Sequence, residues 1–311
     1  MSPRPDTATR RQPGVSRPLL TTPRPADPAA RTVVAVHPGA LPATAWQTVA
    51  ARLPEDHALH LCDLGNVPEY FAAALVPTLS VIGVRELADR CLTELTAAGL
   101  TDRRFTLVGW SFGGVVAYEI AARLDTQGPG DRVEGLVEGL VDDLVVLDSI
   151  APVAAFQRPD EALQPAMLLT WFAMYLGAKR GRRLTLEPAV LDGLGEEDGL
   201  GVLLAEAVEQ GVLQDGTEPA GLRKLYTAFH TGLVRNNRCT AGYLPDPLDR
   251  TVTVVKPERS LLPDSPDLGW SGLSGRPLRQ LAVPGDHYTM LHEPETADTL
   301  AALLATGSRT G

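Results

Sequence analysis

The sequence predicts an α/β fold in which a mostly parallel sheet is flanked by helices and interrupted by a helical insertion. Three observations carry this. Short apolar, β-branched runs alternate with segments of helical spacing between residues 31 and 148, and strands separated by helices pair in parallel. From 154 to about 240 the chain reads as several helices with Gly- and Glu-rich breaks and no convincing strand. Sheet-like sequence resumes at 251–255 and 279–283, so the two parts of the sheet bracket the insertion.

Residues 1–30 are rich in Pro, Arg and Thr without apolar periodicity, and such a stretch buries too little surface to offset its ordering entropy. They are expected to form a disordered leader or linker, and residues 31–311 one domain. The first strand is Thr32-Val33-Val34-Ala35-Val36, ended by His37-Pro38-Gly39-Ala40. Residues 59–64 read as the second strand, and a helix over 84–98 puts Leu87, Cys91, Leu92 and Leu95 on one side. Phe105-Thr106-Leu107-Val108 is the third strand, followed by a sharp turn over 109–114 and a helix over 115–124. Leu144-Val145-Val146-Leu147 ends at Asp148, and the last helix is expected over 294–304. A four-residue quasi-repeat from Val133 to Leu144 is too short for a solenoid and reads as a duplicated surface element.

Composition narrows the function classes. With 44% hydrophobic and 21% charged residues, the 311-residue chain has the make-up of a folded protein. Its net charge of −10 argues against nucleic acid or an anionic membrane as partner, because the summed field repels polyanions. Cys62, Cys91 and Cys239 are odd in number and lack a C-x-x-C pair, which suggests neither a disulfide framework nor a zinc site; a reducing cytoplasm fits. His57, His60, Cys62 and Asp63 lie close together but have no second ligand pair, so no metal or cofactor is expected. The longest apolar stretch, 167–178, is too short to span a bilayer, and residues 1–30 lack the apolar core of a secretory signal.

The chemistry-bearing motif is Gly109-Trp110-Ser111-Phe112-Gly113. A G-x-S-x-G match alone is weak, but this one follows an apolar strand and opens a helix, the setting that exposes a nucleophilic serine on a strained turn. Ser111 needs a base to take its proton. His287, in Pro284-Gly285-Asp286-His287-Tyr288 after the last predicted strand, is the best placed of six histidines, whereas His292 reads as structural. Asp148, at a strand end, is the preferred acid to orient that imidazole, with Asp264 and Asp267 as competitors. Two N–H donors are needed for the developing oxyanion: one from Phe112, the other from the loop after the first strand. Ala40 is the choice there, with Gly39 or Leu41 as alternatives, and His37 orients the loop.

These segments resemble the thioesterases that serve nonribosomal peptide and polyketide synthases, members of the α/β-hydrolase superfamily. The likeness rests on Val36-His37-Pro38-Gly39, on Gly109-Trp110-Ser111-Phe112-Gly113-Gly114-Val115-Val116-Ala117-Tyr118-Glu119, on Leu147-Asp148-Ser149 with Ala151-Pro152, and on Pro284-Gly285-Asp286-His287-Tyr288-Thr289-Met290. It implies that residues 154–240 form a lid over an acyl channel. It further implies that an acyl or peptidyl carrier protein delivers a phosphopantetheine-bound chain to Ser111, for release to water or to an internal nucleophile. Trp110, Met167, Trp171 and Tyr175 are the candidate substrate-binding residues. Lys179-Arg180-Gly181-Arg182-Arg183 reads as a solvated charge run, or as a docking point for an acidic carrier. An esterase or acyltransferase acting on a free small molecule with the same triad, and a noncatalytic hydrolase-like scaffold, are the alternatives.

Overall fold

The computed structural model describes residues 17–76, 78–126, 139–157 and 164–306. Among them, strands β1 (Leu20–Arg24), β2 (Arg31–His37), β3 (His57–Asp63), β4 (Phe105–Trp110), β5 (Val141–Leu147), β6 (Val252–Arg259) and β7 (Arg279–Asp286) form one sheet. Its spatial order is β1-β3-β2-β4-β5-β6-β7. All pairings are parallel except that of β1 with β3. The chain leaves β2 for β3 on one side and returns to β4 on the other, so the loops after β2 and β4 part and open a crevice at the carboxyl edge.

Parallel strands are buried on both faces, and the alternation along β2 shows how this sheet divides its core. Val33 and Ala35 pack with Trp46, Val49 and Leu300 beneath helices α1 (Gln47–Arg52) and α8 (Pro294–Thr306). Val34 and Val36 join Leu87, Cys91, Val116 and Ile120 on the opposite face, under α3 (Val84–Ala97) and α4 (Phe112–Thr126). A short helix, α2 (Pro68–Leu75), follows β3.

Between β5 and β6 the chain forms α5 (Pro165–Lys179), α6 (Glu196–Glu209) and α7 (Pro219–Thr240). Helix α5 is apolar around most of its circumference and is correspondingly enclosed, whereas α7 buries Leu222, Tyr226 and Phe229 at helical spacing. Phe172 meets Tyr226 and Phe229 at ring-centroid distances of 5.2 and 5.4 Å. These side chains belong to the same apolar cluster as Val33 and Trp110, which fastens the inserted helices to one face of the sheet. No helix of the described residues is long and apolar enough to cross a membrane.

Two expectations need correction. Order does not begin at residue 31: β1 lies within the stretch assigned to the leader and pairs antiparallel with β3, Leu20 opposite Cys62 and Thr21 opposite Leu61. Leu19-Leu20-Thr21-Thr22 is a short β-competent run hidden among prolines, and Pro23 is tolerated because an edge strand has donors to spare. Arg24 secures it by donating to the carbonyls of His57, Ala50 and Pro54. Residues 1–16 lie outside the described residues. The quasi-repeat is not a surface element throughout, because its last unit, Val141-Asp142-Asp143-Leu144, belongs to β5 with Val141 and Leu144 buried. Residues 133–138 lie outside the described residues.

The turn between β4 and α4 is packed to the limit. A Cβ on Gly109 would overlap Gly113 and Gly114, and one on Gly113 would overlap the Val36 carbonyl oxygen. Gly113→Ala is therefore expected to push β2 and α4 apart and to cost about 3 kcal/mol of stability, read as a lowered urea midpoint at unchanged m-value.

Candidate active site

Ser111 sits on that turn with φ +54°, in the left-handed region that costs a residue with a side chain. Its N–H donates to the Leu147 carbonyl at 2.9 Å and its own carbonyl accepts from the Gly114 N–H at 2.9 Å, so β5 and the first turn of α4 pin the strained backbone. Ser111, Phe112 and Val115 line a cavity of about 220 Å³. Its other walls come from the loop after β5, from α5 and α7, and from Leu261 and Leu262 after β6.

Asp148 follows β5 with φ +40° and is fully buried. Its carboxylate accepts from the Ser260 hydroxyl at 2.6 Å, from the Leu261 N–H at 3.2 Å and from the Nδ1–H of His287 at 2.8 Å. Three donors offset the solvation that burial takes from the carboxylate. With Nδ1–H donating to Asp148, Nε2 is the ring nitrogen left to accept a proton. His287 itself is 1% exposed, and its N–H donates to the Arg259 carbonyl at 3.2 Å.

The loop that carries His287 is held by Asp286, whose buried carboxylate takes the Arg259 Nη2 at 2.6 Å and the N–H groups of Tyr288 and Thr289, both at 2.9 Å. Burial pushes the Tyr288 phenol well above its ordinary pKa. Tyr288 packs edge-on to His287 at 4.6 Å and therefore stays neutral beside it.

On the other side, His37 is also buried. Its Nε2–H donates to the Leu41 carbonyl at 2.7 Å and its Nδ1 accepts from the Trp46 indole at 3.3 Å. Burial lowers its pKa, which suits the neutral ring those two bonds require. Both bonds brace the Pro38–Leu41 loop, in which Gly39 has φ +79° and no room for a Cβ against Gly65.

The structure thus brings Ser111, Phe112 and Asp148 to one cavity and bonds Asp148 to His287. Met167 and Trp171 line the cavity; Trp110 and Tyr175 are not among its lining residues, contrary to expectation. Trp110 is fully buried, donates to the His287 carbonyl at 3.0 Å, and lies between the rings of His37 (5.5 Å) and His287 (5.7 Å). A residue at the end of a central parallel strand faces the core, so it braces the site from behind. Tyr175 is directed to Phe229 and Tyr288, because its position on α5 points to the interior of the inserted helices.

Ala40 is exposed on its loop and is not among the cavity-lining residues. The competing acids lie elsewhere: Asp264 is exposed, and Asp267 caps the turn at Gly269 and Ser271. His57 bonds Asp56 and the Ala305 carbonyl, and His60 bonds Thr22. The basic run around Lys179 is exposed at the end of α5.

Sequence reasoning missed Ser260 and Asp286. Both lie beyond the strands expected at 251–255 and 279–283, and only the three-dimensional pairing of β5, β6 and β7 singles them out.

The seven-stranded, mostly parallel sheet flanked by helices is the α/β-hydrolase fold. Within that class, a thioesterase-domain family model matches residues 31–168. Holo-AB3403, a four-domain nonribosomal peptide synthetase bound to AMP and glycine, is similar over 96% of this chain at 23% identity and a TM-score of 0.63; this chain spans 21% of its length. RedJ, a thioesterase from the prodiginine biosynthetic pathway of Streptomyces coelicolor, is 19% identical over 97% of this chain and 98% of its own, with a TM-score of 0.53. The NocB thioesterase domain, in covalent complex with a fluorophosphonate nocardicin G analog, is 22% identical over 93% of this chain and 100% of its own, at 0.51. No curated protein matches the chain. The likeness to a thioesterase domain stands on residues 31–168 by sequence, and the likeness of fold extends over nearly the whole chain.

Proposed function

We propose that the protein is a serine thioesterase that releases an acyl or peptidyl chain from the phosphopantetheine thioester of a carrier protein in natural-product biosynthesis. One observation carries this reading: a buried Asp148–His287 pair at 2.8 Å shares its aspartate with the cavity that Ser111 lines. His287 takes the Ser111 proton through Nε2 as the hydroxyl oxygen attacks the thioester carbonyl. The N–H of Phe112, with one from the Gly39–Leu41 loop, stabilises the oxyanion. The C–S bond breaks, the thiol leaves with the proton held on His287, and an acyl-Ser111 remains. The same histidine then deprotonates water or an internal nucleophile for release. Helices α5 to α7 act as the lid, with Met167 and Trp171 contacting the acyl chain.

The test compares an acyl chain on holo carrier protein with the same chain as a simple ethyl ester. The carrier-bound thioester is expected to show a kcat/KM at least about 100-fold higher, because contacts remote from the reacting carbonyl lower its barrier. A higher value for the ester would identify an esterase or acyltransferase of free small molecules. Turnover of neither would favour a noncatalytic scaffold.

A further inference from the structure

The cavity has a polar lining residue, Asn236, whose support the reaction scheme does not use. Asn236, on α7, lines the cavity together with Ser111 and Phe112. Behind it lies Arg235, 8% exposed, whose guanidinium covers the ring of Tyr70 at 3.5 Å from the centroid. The Nε and Nη2 of Arg235 donate to Asn236 at 3.2 and 2.9 Å, and Nη2 also donates to the Tyr70 hydroxyl at 2.8 Å. A guanidinium has no acceptor, so the Asn236 atom that meets two of its donors must be the oxygen. The Tyr70 hydroxyl lies 2.7 Å from the same oxygen and 3.1 Å from the Pro38 carbonyl. Burial raises the pKa of this phenol, although the Arg235 charge opposes that, so it remains a donor.

The amide of Asn236 is therefore locked with Oδ1 turned inward. Its Nδ2 group is bonded to no protein group among the described residues and is not enclosed by the protein. Much of the remaining lining is apolar, including Met167, Trp171, Leu261 and Leu262. A fixed donor in a largely apolar cavity discriminates by what the ligand offers it, since a hydrogen-bonding group there favours a partner that completes the bond.

We propose that Asn236 is a specificity-determining residue whose oriented Nδ2–H donates to a carbonyl within the acyl chain, with Arg235 and Tyr70 as the positioning residues that fix its orientation. This inference rests on the thioesterase reading. It predicts preference for chains that carry internal amide or keto oxygens over plain alkanoyl chains of the same length.

The experiment measures kcat/KM for two pantetheine thioesters of equal main-chain length, N-acetylglycylglycyl and octanoyl, in the wild type, Asn236→Asp and Asn236→Ser. The aspartate keeps an oxygen for Arg235 and Tyr70 but removes the donor; the serine is the second variant should the first fail to fold, as judged by thermal melting. The ratio of the two values is expected to shift about tenfold against the amide-bearing chain in a folded variant. A ratio within twofold of wild type in a folded variant, with turnover still dependent on Ser111, overturns the role of Asn236 alone. Equal turnover of both thioesters by wild type and Ser111→Ala overturns the thioesterase reading and this inference with it.

Discussion

Ser111→Ala is expected to lower release of a carrier-bound acyl chain by roughly 10⁵- to 10⁶-fold while leaving the fold intact. Among the described residues the serine hydroxyl has no hydrogen-bond partner that an alanine would deprive, and the strained turn is held by backbone bonds to Leu147 and Gly114 that the substitution retains. Residual activity would come from binding and the oxyanion donors alone. Intact mass after treatment with a fluorophosphonate should show a single adduct on the wild type and none on the variant. Wild-type rates in Ser111→Ala would remove the nucleophile from this position.

Asp148→Asn is expected to reduce turnover by about 10⁴-fold. An asparagine presents the same outline but can offer His287 an N–H in place of an oxygen. The imidazole would then carry its proton on Nε2, where it cannot accept from Ser111. Asp264→Asn, on an exposed carboxylate, should change kcat by less than about twofold, within the range of ordinary surface substitutions. The opposite ranking would relocate the acid to the segment after β6.

The centre of the sheet was legible in the sequence because β2, β4 and the end of β5 are apolar runs ended by turn residues, and because G-x-S-x-G fixes a strand, a turn and a helix together. The helices of the insertion were legible as helices. Which of their side chains face the cavity was not, since α5 is apolar on most sides and offers no stripe to read; Met167 and Tyr175 look alike in sequence and part ways only in packing. Trp110 was misread for a related reason: its neighbour in the motif faces outward, and on a strand the next residue must face the other way. Ser260, Asp286 and the Arg235–Tyr70–Asn236 cluster depend on residues far apart in the chain that only the fold brings together.

The antiparallel strand β1 covers an edge of β3 that would otherwise present an unpaired row of backbone donors and acceptors. A fragment begun at Arg31 would leave that edge bare, and two such fragments could join their sheets edge to edge. Since β1 in the whole chain becomes the edge itself, its shortness and Pro23, which lacks a backbone donor, are what make it a poorer template for another chain than the bare β3 would be, and any shortened form of the protein should keep Leu19 to Arg24.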